Sequence, residues 1–382
     1  MKRKFKKFIF LALIFLLCNI QLSSYALTNN VPSNAIAKKG SESIMNKPNS
    51  VLENNGEYYF KIDNLNISIY NSDKDFPTAI NELTLTDGAL KNATYKDIFF
   101  IENKLILIYE ILNKKLIPYD INMDSSKKNN FKDTFVQSST LGKTPPKTFD
   151  SRGNLIFFYD ISDIKNIKLE NKLYIHGDYE TTVQKDNTLY ILTSFYSKGG
   201  NNLFNNTTSD LAHIINIGNT KSKRVHNLTK VDLIKQNFIR ISSIKCNSII
   251  EYLSNDSLYF ITLNNTKSTI YRLSMTSDKL KYVNKFSVDG YLTNPKFMNE
   301  YNKKLTFIYQ SAENYKNYNI VLLDENLNLI KEIKNINNSK KLTSVQFFKN
   351  SVKLSIENSH FKVVDFSTPS KPKISEINAN IT

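Results

Sequence analysis

Short apolar runs rich in Ile, Tyr, Phe and Val, a turn signature that returns along the chain, and a near absence of helical periodicity predict an all-β fold. One uninserted repeat spans roughly 45 residues, the length of four antiparallel strands. The expected architecture is therefore a β-propeller of about six four-stranded antiparallel blades, with seven blades or an incompletely closed ring as alternatives.

The chain has 382 residues and 41% hydrophobic content, enough for a large core. Residues 1–26 read as a secretory signal. Lys2, Arg3, Lys4, Lys6 and Lys7 form its basic end, Phe8 to Cys18 is an unbroken apolar run, and Ser24-Tyr25-Ala26 supplies small residues at a cleavage site. That run is shorter than the roughly 18–20 residues a bilayer demands. Leu17 stands before Cys18 where a lipoprotein would carry a small residue. The expected location is secreted or extracytoplasmic, including the cell surface. Residues 27–50 are polar and patternless and read as a flexible leader. The propeller is assigned to residues 51–382, with insertions at about 110–150 and 197–208.

Once the signal is set aside, Cys246 is the remaining cysteine, which excludes an intramolecular disulfide and Cys zinc clusters. The absence of Trp excludes WD repeats, most Trp-platform sugar sites and the quinone-dependent dehydrogenase propellers. The formal charge of +16 falls to +11 without the five cations of residues 1–26. Nearly all of it is dispersed Lys, with five Arg in the whole chain. A nucleic-acid binder would cluster Arg among aromatics, so no specific nucleic-acid partner is expected and the charge reads as a solvated basic surface.

Strand texture appears at Tyr58-Tyr59-Phe60, Leu105 to Tyr109, Leu155 to Tyr159, Leu189 to Leu192, Leu258 to Ile261, Leu305 to Tyr309 and Val363 to Phe366. Two combs of polar punctuation separate these runs. The first has teeth at Asn55, Asn103, Asn187, Asp256, Asn302 and Asn350, at gaps of 48, 84, 69, 46 and 48. The second has teeth at Asn71, Asp160, Asn216, Arg272, Asp324 and Asp365, and the two interleave throughout. The wide gaps fall on the two insertions. Leu105–Tyr109 and Leu155–Tyr159 are accordingly expected to be neighbouring strands across the long one. Asp160 and Asp365 read as turn caps, each accepting the amide two residues on.

The segments Tyr159-Asp160-Ile161-Ser162-Asp163, Gly177-Asp178-Tyr179 and Leu189 to Thr193 resemble a family of secreted bacterial and archaeal beta-propeller domain proteins, which carry a Y-D-I-S-D-P-x-N-P-K turn and then a strand pair. The resemblance continues through Met298 to Asn302 and Leu323 to Leu327, and ends in Val364-Asp365-Phe366-Ser367-Thr368-Pro369-Ser370-Lys371-Pro372-Lys373. It covers roughly residues 51–382. Ile164 and Ile167 stand where the family has prolines, and the chain resembles a shortened member. The resemblance implies architecture and secretion; it implies no chemistry.

Candidate chemistry is thin. Gly142-Lys143-Thr144 lacks the earlier Gly of a P-loop and runs into Pro145-Pro146. His176, His213, His226 and His360 are far apart in sequence and read as lone strand or turn residues. Asn71-Ser72-Asp73-Lys74-Asp75 spaces oxygens as calcium loops do, without the Gly or distal Glu. Lys198 to Thr208 is a polar loop, and Tyr315 and Tyr318 lie in a hairpin where an aromatic could anchor a partner. No catalytic, cofactor-binding or metal residue is assigned and no cofactor is expected. The sequence favours a binding or scaffold module over an enzyme, with a secreted glycan-acting enzyme as the alternative. Its partner would be a protein or an envelope polymer, with membrane contact only through an uncleaved signal segment.

Overall fold

The computed structural model describes residues 51–55, 58–71, 79–87, 90, 93–113, 151–196, 214–218, 222–276, 279–357 and 360–378. The signal, the leader, the Gly142-Lys143-Thr144 segment, the Lys198 to Thr208 loop, His213 and most of the Asn71–Asp75 loop lie outside them.

Five sheets follow one another along the chain. The first holds β1 (Val51–Asn54), β2 (Tyr58–Asp63), β3 (Asn66–Asn71) and β4 (Ala79–Thr84), in that spatial order. The second holds β5 (Thr94–Ile101), β6 (Lys104–Asn113), β7 (Ser151–Asp160) and β8 (Lys168–His176), again in order. The third is built from β9 (Asp178–Lys185), β10 (Thr188–Tyr196), β11 (Ile214–Asn216), β12 (Arg224–Asp232) and β13 (Asn237–Lys245). There β11 adds itself, parallel, to the outer edge of β13.

The fourth sheet has eight strands and consists of two four-strand runs. One is β14 (Ile250–Leu253), β15 (Ser257–Asn264), β16 (Lys267–Met275) and β17 (Leu280–Tyr291). The other is β18 (Met298–Tyr301), β19 (Lys304–Ser311), β20 (Tyr318–Leu323) and β21 (Leu329–Ile333). They join where Gly290 and Tyr291 pair with Ser311 and Gln310. The fifth sheet holds β22 (Leu342–Phe348), β23 (Ser351–Ile356), β24 (His360–Asp365) and β25 (Lys373–Asn378). Every pairing within a run of four is antiparallel. Each such run is called a unit below.

Each expected strand run falls in a strand, except that Phe366 lies one residue past the end of β24. Leu105 pairs with Tyr159 and Tyr109 with Leu155, so β6 and β7 are neighbours across the long insertion as expected. Two details of the reading are corrected. Glu110 to Asn113 continue β6, because the partner strand β7 offers ladder positions to them, so the insertion starts after Asn113. In the third unit the tooth of the second comb is Asp232, which ends β12; Asn216 belongs to the added strand β11.

Alternation places the core. In β6, Leu105, Leu107 and Tyr109 pack toward the first sheet, while Ile106 and Ile108 pack toward the third. In β7, Leu155 and Phe157 divide from Ile156 and Phe158 in the same way. Successive side chains of a strand point to opposite faces, so a strand covered on both sides reads as a continuous apolar run. Three further clusters repeat this arrangement between the later units. Among the described residues no cluster joins β22–β25 to β1–β4.

The middle strands are the most buried and the fourth strands the most exposed at their starts, as in β8, β13 and β25. The first strands β5, β9 and β14 lie beside one another. The units thus pack face to face, with first strands inside and fourth strands at the rim.

Candidate functional site

Three of the chain's five arginines lie on third strands, and each reaches an acid on the first strand of the next unit. Arg152 Nε is 3.7 Å from Asp178 Oδ1, Arg224 Nη1 is 3.0 Å from Glu251 Oε1, and Arg272 Nη2 is 3.1 Å from Glu300 Oε1. The sequence separations are 26, 27 and 28 residues. The first pair is solvated and contributes little. The other two are buried and hydrogen-bonded to their acids and neighbouring serines, as a buried charge requires.

The Arg224 cluster is the richest of the three. Its Nη2 donates to Glu180 on β9, its Nη1 donates to the Ser248 carbonyl at 2.9 Å, and its Nε donates to Ser194 Oγ at 3.3 Å. Ser194 Oγ donates to Glu180. Ser248 Oγ donates to Glu251 Oε1 at 2.6 Å and lies 3.2 Å from Nε2 of His226. The His226 ring is fully buried and sits edge-on to Phe260 at 4.8 Å. Burial, and then the neighbouring Glu180 carboxylate, hold the Glu251 carboxyl above its ordinary range despite Arg224. Burial disfavours the charged form of Arg224, and the two carboxylates more than offset it.

Glu180, His226 and Glu251 bring three ligand-type atoms within 4.8 Å of one another. Two carboxylates and an imidazole are a suitable donor set for zinc. The guanidinium of Arg224 already occupies the space between both carboxylates, and a divalent ion there would meet its positive charge. The donor set therefore does not fit a metal in this arrangement. As a carboxylate pair it is poorly placed for catalysis too, since the side chains retain 16% and 8% exposure.

The Arg272 cluster follows the same plan. Ser257 Oγ accepts from Nε at 3.0 Å and donates to Glu300 Oε1 at 3.1 Å, and Ser254 donates to the other oxygen of Glu300. Tyr252 Oη accepts from the Glu300 amide at 3.0 Å.

A second recurrent link lies at the rim. Asn81 on β4, Asn171 on β8 and Asn284 on β17 each donate to a turn carbonyl of the next unit: Ile164 at 2.7 Å, Gln236 at 3.1 Å and Asn326 at 2.9 Å. Each Asn directly follows a β-bulge in its fourth strand, which turns its side chain outward from the ladder.

The residues singled out by sequence are dispersed. His176 ends β8 against the Phe195 ring, and burial followed by the charge of Arg240 pushes it down to about 4. His226 alone of the histidines enters a ligand cluster among the described residues. His360 begins β24. Tyr318 is buried in β20, whereas Tyr315 is exposed and packs on Tyr291 at 5.8 Å. Cys246 is buried, and its thiol is pushed up to about 12 by that burial. The Asp caps behave as expected: Asp160 accepts from the Ser162 amide at 2.9 Å and Asp365 from the Ser367 amide at 2.8 Å, with Asp232 and Asp324 doing the same. Sequence reasoning missed the Arg–acid pairs, although their near-constant spacing was visible.

Residues 48–375 match the beta propeller domain family. The chain belongs to that family. Its face-to-face units, with first strands inside, are what such a domain requires. A comparison with curated proteins finds no match. Similar solved structures include the computationally designed Ika8 protein, at 7% identity and TM-score 0.42, covering 84% of this chain and 71% of that one. A chain in a mitotic checkpoint complex structure shows 9% identity and TM-score 0.43, covering 94% and 91%. A chain in an S. cerevisiae structure of Dbp5 bound to Nup159, Gle1, IP6 and ADP shows 8% identity and TM-score 0.40, covering 87% and 78%.

Proposed function

We propose that this beta propeller domain is a six-bladed, secreted or cell-surface binding and scaffold module, its blades being the consecutive four-strand units. The observation that carries this reading is the use made of its ionisable groups. The carboxylates that converge, Glu180 with Glu251 and Glu300 with its serines, are consumed by Arg224 and Arg272 in links between units. They hold a frame together and leave recognition to the surface, where loops commonly carry it. Among the described residues no apolar cluster joins β22–β25 to β1–β4, which suits a role in assembly with a partner at that seam. A basic surface suits capture of an anionic envelope component.

The competing reading is a secreted enzyme acting on glycans, favoured only by the proximity of Glu180 to Glu251. Incubation of the full chain with isolated envelope glycans, analysed by mass spectrometry, separates the two. Unchanged glycans support the binding module. Hydrolysis that disappears in Glu180→Gln or Glu251→Gln would refute it. Export is tested by N-terminal sequencing of material from the culture medium, with Leu27 as the expected first residue and an intact Met1 throughout as the contrary result.

A further inference from the structure

Five consecutive units each expose one large apolar side chain at the start of the fourth strand: Leu169, Ile239, Tyr282, Leu329 and Ile374, each 45–52% exposed. All lie within the first three residues of their strands. At about 3.3 Å per residue, the spread along the strand direction is below roughly 7 Å. The rim links hold this level at two of these positions. Leu169 stands two residues before Asn171 and Tyr282 two before Asn284, and both asparagines hold the corresponding turn of the next unit. The apolar groups therefore form a crown around one face of the domain.

The crown is also basic. Lys168, Lys281 and Lys373 immediately precede three of its members and are exposed, and Arg240 follows a fourth. Two of the nearby acids are engaged within the protein. Glu170 pairs with Lys104 and accepts from Gln236, and Asp365 accepts from the amide and hydroxyl of Ser367.

We propose that this crown docks on an anionic lipid surface. Lysines gain from the negative surface potential of anionic headgroups, within a Debye length of the surface. Exposed Leu, Ile and Tyr gain by entering the interfacial layer, which a soluble polyanion does not offer them. A set of positions at one level matches a plane, whereas a polymer chain would call for a groove. The docking is peripheral: among the described residues no helix is long and apolar enough to cross a membrane. The proposal deepens the binding-module reading by naming its partner and rests on that reading for its setting.

The chain contains no Trp, so one introduced Trp reports alone. The test uses full-length Tyr282→Trp with vesicles of one-third phosphatidylglycerol in phosphatidylcholine. The reference is full-length Tyr315→Trp, whose reporter sits in the β19–β20 turn at the opposite end of the strands. Comparing the two reporters separates the crown from any effect of the N-terminal apolar run. The expected result is a blue shift and quenching by brominated acyl chains for Tyr282→Trp alone, lost in pure phosphatidylcholine and reduced by salt. Adding Leu169→Ser and Ile374→Ser should weaken partitioning about tenfold or more. An unshifted Tyr282→Trp, an equal shift of both reporters, or a response to polyphosphate without one to vesicles would each overturn the proposal. None of these outcomes bears on the glycan assay, so failure here leaves the binding-module reading to its own test.

Discussion

The guanidinium of Arg272, on the third strand of one unit, lies 3.1 Å from a carboxylate oxygen of Glu300, on the first strand of the next, and both side chains are about 5% exposed. Removing one member leaves the other charged and dry. Arg272→Met is expected to cost about 3–5 kcal/mol in urea denaturation. The double change Arg272→Met with Glu300→Leu should cost less than the single one, because no buried charge is left behind. A double variant that costs the sum of both singles would contradict this account.

The Glu251 carboxyl gives a pH signature. Burial and then Glu180 raise it, so its folded pKa lies above the unfolded value of about 4.3. Such a group stabilises the fold fully below the unfolded value, and its contribution is lost as pH rises through the folded pKa. Asp160, Asp324 and Asp365 act oppositely. Their folded values are lowered, so their contribution is lost as pH falls through them. Thermal melts of Glu251→Gln should lack the decline on the neutral side while keeping the acid limb. An unchanged neutral limb would contradict this assignment.

Gly290 is where β17 meets β19, joining two units into one sheet. A Cβ there would run into the Gln310 carbonyl and the Tyr309 ring. Gly290→Ala should therefore cost about 1–3 kcal/mol, or more if the strands separate. A variant that melts with the parent would show that the junction yields freely.

Cys246 is buried and its thiol is held neutral. The native protein should resist Ellman's reagent at neutral pH and react only on unfolding. Reducing agent should leave the melting temperature of the monomer unchanged. A marked drop would reveal a bridge to a second chain.

Much of the fold was legible because its grammar is local. Asn103, Asn187 and Asn350 stand at turns between first and second strands, and Asp160, Asp232 and Asp365 end third strands. The two turns then touch: the amides of Ile161, Leu233 and Phe366 donate to the carbonyls of Asn103, Asn187 and Asn350. That bond gives both combs one period. Asn216 misled because a short parallel strand, set by pairing with distant β13, has the same local texture as an outer strand. The Arg224 cluster was hidden for a different reason. Glu180, Arg224 and Glu251 come from three strands in two units, and what marks them is a recurrent separation between residue types, not a contiguous motif.

The stepwise sharing of apolar clusters between successive units has a thermodynamic consequence. Among the described residues the apolar clusters join each unit to its chain neighbours, so stability there resembles a sum of nearest-neighbour terms along a line. The end units, with one such neighbour each, should fray first, and amide exchange should slow from β1–β4 and β22–β25 toward the middle of the chain. A partner bridging the two ends would turn that line into a circuit and make melting abruptly more cooperative, so cooperativity itself becomes a reporter of assembly.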